Sequence, residues 1–241
     1  MALPKIAIPE FETVVPSTKE TIKFRPFLVK EEKILYMALE GGEQNEIYNA
    51  TTKILENCIL SDCNIKKLSA FDVEYLFLQL RGKSVGEVIT LKLKHTDEDS
   101  ACDHAEEVEL NVDDVKMSED PRHNKIVQLD ENLGIQFRYP SMGDVMKTGD
   151  QSSEKLKLKA TFDMLATCVE NVFDKDNVYD DFTQEEIVEF IENLSKTQFE
   201  KASVFFESMP KLQHEIKWTC SECMKEETIL LEGLQSFFAY V

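Results

Sequence analysis

Cys220 and Cys223, in W-T-C-S-E-C at 218–223, are the residues whose type and spacing point most directly to chemistry. A two-residue spacer in a turn lets both sulfurs converge on one point, which suits tetrahedral Zn²⁺ with Zn–S near ~2.3 Å. Two other readings stand beside it: a redox dithiol and a pair of ordinary thiols. Thioredoxin-type pairs sit at a helix N-terminus, where the dipole favours the thiolate, whereas M-K-E-E-T-I-L-L after this pair reads as a strand.

A metal needs further ligands. His214 shares a strand face with Ile216, Trp218 and Cys220, but six residues at about 3.3 Å each separate it from Cys220 by roughly 20 Å, so it cannot share a metal with Cys220 on a straight strand. The segment 88–112 offers His95, Cys102 and His104. Cys102 and His104 are separated by one residue, about 7 Å in an extended chain, so only one of them reaches a site with His95. The expected ligand set is His95, Cys102, Cys220 and Cys223, with His104 as substitute for Cys102. Four protein ligands leave no open position for water, so one such Zn²⁺ is structural. Cys58, Cys63 and Cys168 read as small core residues or incidental thiols.

Other catalytic patterns are missing from the sequence. It has no G-x-S-x-G, no G-x-x-x-x-G-K-[ST], no H-E-x-x-H and no G-x-G-x-x-G. With 46 carboxylates, close acidic pairs arise by chance and identify no general acid or base. Against them stand 27 Lys and Arg, a net charge of −19 that disfavours nucleic acid and anionic membrane surfaces and suits partners with basic or apolar faces. Eleven carboxylates from Asp97 to Asp120 and nine from Glu170 to Glu192 read as solvated surface or as docking faces for a basic partner. No run approaches the roughly 18 apolar residues of a membrane span, and the N-terminus lacks a signal-peptide pattern, so a cytosolic protein with reduced thiols and no stable membrane anchor is expected.

The elements that must position these residues follow from period and punctuation. Two extended runs around Pro16-Ser17-Thr18 predict an N-terminal β arm. Helices follow in K-E-E-K-I-L-Y-M-A-L-E, ending at Gly41-Gly42, and in N-E-I-Y-N-A-T-T-K-I-L-E-N-C. Ser69 caps a third helix with Val73, Leu76, Phe77 and Leu80 on one stripe, and Gly82 ends it. Period two then takes over. V-I-T-L-K-L-K-H puts Ile89, Leu91, Leu93 and His95 on one face, with E-V-E-L-N-V as its return strand. K-I-V-Q-L and G-I-Q-F-R-Y-P flank a turn at 130–134. Leu158, Phe162, Leu165, Val169 and Phe173 predict a helix over 154–173, Thr183 and Glu186 form a capping box, and Phe199, Ala202, Phe206 and Met209 mark a last helix before Pro210.

The organisation expected is α+β: antiparallel hairpins packed with several helices behind an N-terminal β arm. Its segments are the arm at 1–28, helices at 29–84, hairpins at 85–140, helices at 141–210, and a C-terminal hairpin with an aromatic tail at 211–241, all in one compact domain. A weak internal repeat relates 91–112 to 214–231, each a strand, a polar turn with a soft ligand and a strand. Two such hairpins side by side make a zinc ribbon. Two apolar features suit partner binding: the arm with Phe24, Arg25 and Phe27, and the tail with Phe237, Phe238 and Tyr240.

I-K-F-R-P-F-L-V-K-E-E-K-I-L-Y-M-A-L-E at 22–40, G-I-Q-F-R-Y-P at 134–140 and the ending P-K-L…W-T-C-S-E-C…L-E-G-L-Q-S-F-F together resemble the baseplate hub proteins of T4-type contractile-tailed bacteriophages. The resemblance implies a non-enzymatic tail baseplate component whose partners are other baseplate and hub proteins. It acts in the host cytoplasm during assembly and in the virion tail if retained, without nucleic acid or small-molecule substrate. That family includes structural hub subunits and a hub-assembly factor, so an assembly chaperone absent from the finished virion is the alternative within the class. A cytosolic zinc or dithiol enzyme is the alternative outside it. The resemblance also implies a cysteine at the start of the first hairpin, where this chain has His95. It leaves Arg25 the role of anchoring the arm to the first helix, with Phe27 packed beneath.

Overall fold

The computed structural model describes residues 6–42, 44–95, 102–147 and 154–236. In chain order the elements open with strands β1 (Phe11–Val14) and β2 (Thr21–Phe24), then helices α1 (Val29–Gly41), α2 (Gln44–Cys58) and α3 (Ala70–Val85). Strands β3 (Val88–Lys94), β4 (Ala105–Asn111), β5 (Lys116–Met117), β6 (Ile126–Gln128) and β7 (Gly134–Phe137) follow. Next come helices α4 (Met142–Lys147) and α5 (Glu154–Thr167), strands β8 (Val169–Phe173) and β9 (Val178–Tyr179), and helices α6 (Gln184–Glu192) and α7 (Lys196–Glu207). Strands β10 (Leu212–Thr219) and β11 (Glu226–Glu232) and the short α8 (Gly233–Ser236) close the described chain. Every named strand pair is antiparallel, and the protein is α+β as its hairpins and helices predict.

Two compact units are formed, one from described residues within Met1–Ile65, Phe71–Ser118 and Lys211–Val241, the other from Lys66–Ala70 and Glu119–Pro210. In the first, β3 and β4 pair from Val88↔Asn111 to Lys94↔Ala105, and β10 pairs with β11 from Gln213↔Glu232 to Thr219↔Glu226. Strict alternation buries Ile89, Leu91 and Leu93 on one face of β3, because successive side chains on a strand point to opposite sides. These residues join Leu110, Ile216, Trp218, Cys220 and Leu231 in one core. Each large apolar side chain so buried contributes about 1.5–3 kcal/mol relative to exposure. The arm is fastened to this unit: the Ser17 N–H and hydroxyl donate to the two carboxylate oxygens of buried Asp72 at 2.8 and 2.5 Å.

Gly82 does not end α3, which runs on to Val85. Gly82 lies within the helix beside the Val112 side chain, which a β-carbon there would meet at 3.4 Å, an ordinary contact. The stop is Gly86, whose φ of 134° suits glycine alone.

The second unit is a sheet in the order β6-β7-β8-β9 covered by α5, α6 and α7. Leu129, Ile135, Phe137, Leu165, Ile187, Ile191 and Phe205 form its core. The capping box expected at Thr183 is present, with the Glu186 N–H donating to the Thr183 hydroxyl at 3.2 Å. The helix expected over 154–173 is corrected: α5 stops at Thr167, and Val169–Phe173 pairs as β8 between β7 and β9. Val169 and Phe173 fit a helical spacing by coincidence. Pairing with two neighbouring strands outweighs the few tenths of a kcal/mol by which local propensity separates helix from strand for V-E-N-V-F.

One bracket is built twice. At the end of β2, Arg25 donates to the Pro26 carbonyl at 2.9 Å, the Glu31 carboxylate at 3.0 Å and the Asn57 carbonyl at 2.9 Å, while its own N–H donates to the Cys58 carbonyl at 2.9 Å. At the end of β7, Arg138 donates to the Tyr139 carbonyl at 3.1 Å, the Asp144 carboxylate at 2.7 Å and the Thr167 carbonyl at 2.8 Å, and its N–H donates to the Cys168 carbonyl at 2.8 Å. In both, the carboxylate lies six residues after the arginine and accepts a backbone N–H three residues before itself, from Leu28 at 2.9 Å or Ser141 at 3.0 Å. Hairpin, arginine, helix, helix, buried cysteine: the order is the same in 11–58 and 126–168.

Candidate metal centre

His95 immediately follows β3 and continues its inward row after Leu91 and Leu93. Cys220 immediately follows β10 and continues the row of Ile216 and Trp218. Beyond Cys220 the chain turns tightly. The Met224 N–H donates to the Cys220 carbonyl at 3.0 Å, and the Cys220 N–H donates to the Lys225 carbonyl at 3.0 Å. Met224 takes the left-handed conformation with φ 58° that the turn demands. This turn carries Cys223 back over Cys220, while Cys102 arrives from the segment entering β4.

His95, Cys102, Cys220 and Cys223 bring one nitrogen and three sulfurs together, all within 4.8 Å of one another. Cys102 Sγ lies 3.8 Å from Cys220 Sγ, and Cys223 Sγ lies 3.3 Å from His95 Nε2. A tetrahedral Zn²⁺ with Zn–S near 2.3 Å and Zn–N near 2.0–2.1 Å has S···S edges of roughly 3.8 Å and S···N edges of roughly 3.5 Å. The His95 side chain is 2% exposed; its Nδ1 lies 2.6 Å from Glu227 Oε1, and Lys225 Nζ approaches the same oxygen at 3.1 Å. The Trp218 ring packs on the imidazole at 5.2 Å between centroids.

The electrostatics follow from these neighbours. Cys220 is drawn down to about 6, first by the Cys223 N–H and then by the Glu222 N–H and the His95 and Cys223 side chains, against the opposing effect of burial. His95 is raised to about 9, chiefly by Glu227 and then by Cys220. Cys102 is pushed up, the His104 N–H that favours its thiolate being outweighed by burial and the neighbouring sulfurs. A dithiol redox pair requires an accessible thiolate, yet Cys220, whose thiolate is favoured, is fully buried and its neighbour Cys223 is the exposed sulfur.

The structure thus brings together the four residues expected as ligands and leaves His104 outside them. His104 Nε2 instead meets the Ser221 hydroxyl at 3.1 Å and the Glu106 carboxylate at 3.4 Å. His214 sits on β10 far from the turn, its Nδ1 at 3.2 Å from the Asp114 carbonyl. Sequence reasoning missed Glu227, which sits opposite Trp218 in the β10–β11 register; that pairing was its one available signal. Of the residues read as partner-binding, Phe24 and Phe27 are buried, and Arg25 is held by Glu31 and three carbonyls of its own unit. Phe237, Phe238 and Tyr240 lie outside the described residues.

An α+β protein with paired hairpins converging on a cysteine and histidine cluster is the class that fold and site define. The family model described as T4 bacteriophage base plate protein matches residues 8–239, nearly the whole chain. The chain belongs to that family. None of the curated proteins and none of the solved structures matches it. Among the described residues, no helix is long and apolar enough to cross a membrane.

Proposed function

We propose that the protein is a non-enzymatic component of the baseplate hub that works by binding other baseplate proteins. The observation that carries this reading is the family match over residues 8–239. Two surface properties support it. Val29 and Tyr36 are exposed on α1 at a spacing of seven, which places them on one helical face, with exposed Met37 next in the chain, and exposed apolar side chains grouped in this way suit a protein interface. The net charge of −19 favours a partner with a basic face, attracted over a Debye length of about 8–10 Å at physiological salt.

In this reading the protein assembles in the host cytoplasm and stays in the virion tail. Mass spectrometry of purified virions tests it. Peptides of this chain at a fixed ratio to other baseplate proteins support the hub subunit. Particles that require the gene for infectivity yet lack the chain overturn that reading in favour of an assembly chaperone. Co-purification with no baseplate protein when the tail genes are co-expressed would count against both.

A further inference from the structure

We propose that His95, Cys102, Cys220 and Cys223 bind one structural zinc ion that clips the β3–β4 hairpin to the β10–β11 hairpin. This zinc site follows from donor geometry and does not depend on the hub reading. Three sulfurs and one imidazole nitrogen are a donor set for zinc, and soft thiolates disfavour magnesium, calcium and manganese. The Cys102–Cys220 and Cys223–His95 donor distances, 3.8 Å and 3.3 Å, match edges of a tetrahedron of that size.

The surroundings carry the argument further. His95 turns Nε2 toward the sulfurs and gives Nδ1 to Glu227. A carboxylate on the remote nitrogen fixes the tautomer that leaves Nε2 free to ligate and strengthens it as a donor. All four protein donors are accounted for without a water, so the site is closed and the ion's work is to hold strands together.

The topology gives the clip its purpose. His95 and Cys102 stand at the tip of one hairpin, and Cys220 and Cys223 form the turn of the other. More than a hundred residues separate Cys102 from Cys220, including Glu119–Pro210 of the second unit. Among the described strands, no ladder joins β3 or β4 to β10 or β11; side-chain packing, a few polar contacts such as the Ser221 N–H to Glu106 at 2.9 Å, and these four ligands tie them.

The test is metal analysis of full-length protein purified without chelator, followed by replacement with Co²⁺. About one zinc per chain is expected, and Co²⁺ should give the intense visible bands of tetrahedral thiolate coordination. Cys223→Ser should lower zinc content severalfold and alter the Co²⁺ spectrum, whereas Cys63→Ser, away from the site, should retain both. Should Cys223→Ser fail to fold, Glu227→Gln serves instead, with zinc affinity expected to fall about 10–100-fold in competition with a chromogenic chelator. Fresh protein without zinc that takes up no Co²⁺ into sulfur coordination would overturn the proposal. So would iron in place of zinc, a Cys102–Cys220 disulfide in the fresh protein, or zinc content indifferent to both variants.

Discussion

Replacing Arg25 with Ala removes the guanidinium from a carboxylate that has no access to solvent: the Glu31 side chain is 0% exposed and Arg25 only 14%. Breaking the pair leaves the exposed Lys30, at 3.3 Å, as the carboxylate's remaining counter-charge, so Arg25→Ala should destabilise by about 3 kcal/mol, the low end for a buried pair, in urea unfolding at pH 7. Arg138→Ala, at the equivalent place in the other bracket but 37% exposed, should cost about 1 kcal/mol, because water replaces part of what is lost. The acid limb has a definite sign. Burial would raise Glu31, but the bonds from Arg25 and the Leu28 N–H prevail and hold it below the ordinary carboxylate range. Asp144 is likewise raised by burial and lowered further by Arg138 and Ser141. Groups held low in the fold contribute stability that is present above their unfolded pKa near ~4 and is lost as pH falls through the folded value. Wild-type stability should therefore fall below about pH 4, and the gap between wild type and Arg25→Ala should narrow there. A gap that is unchanged between pH 7 and pH 3, or two equal costs at pH 7, would show that neither arginine acts through its carboxylate.

Among the elements, β7 and β8 hold the sharpest local constraint. Gly134 pairs with Phe173, whose ring lies over it so closely that a β-carbon at 134 would come within 2.2 Å of the ring tip. Gly134→Ala must push the ring off its strand neighbour, at about 1–2 kcal/mol. Phe173→Ala should remove the conflict, so chemical denaturation of the two single variants and the double variant should give a coupling of at least about 0.5 kcal/mol. Additive costs would mean that the ring does not cover the glycine. The same strand shows where the sequence stops being readable. β3 and β10 were legible because each has one buried face, so apolar and polar residues alternate from Ile89 to Lys94 and from Glu215 to Thr219. β8 lies between two strands in a sheet with helices against it, and its burial follows packing from more than one side, leaving a spacing that also fits a helix. The doubled bracket had a visible signature, Ile22-Lys23-Phe24-Arg25 against Ile135-Gln136-Phe137-Arg138. Its meaning depends on carbonyls at Asn57 and Thr167, which only the folded backbone supplies.

At the scale of the whole molecule, the convergence of His95 and Cys220 was legible for the same reason as the hairpins that carry them: both strands point these residues inward by simple alternation. Glu227 was not, since one carboxylate among 46 carries no mark of its partner. The distribution of the donors decides what their removal should do. All four belong to the first unit, and Cys220 is part of its core with Leu91, Leu93, Leu110 and Trp218. The second unit closes its own core around Phe137, Ile187 and Phe205, with none of these donors in it. Local opening energies follow such cooperative units and are read amide by amide in hydrogen exchange. With the proposed zinc in place, stripping it with a strong chelator should therefore speed exchange at Ile89–Leu93, Glu107–Leu110, Ile216–Trp218 and Thr228–Leu231, where the two hairpins would lose that tie. Exchange at Ile135–Phe137 and Val169–Val172 should stay within experimental error, because those strands are held by an apolar core that no chelator reaches. Equal acceleration in both sets would mean that the ion supports the protein as one cooperative whole. No change in either would mean that packing of Trp218, Leu231 and Leu110 already suffices to hold the hairpins, and that the cysteines do not act as a clip.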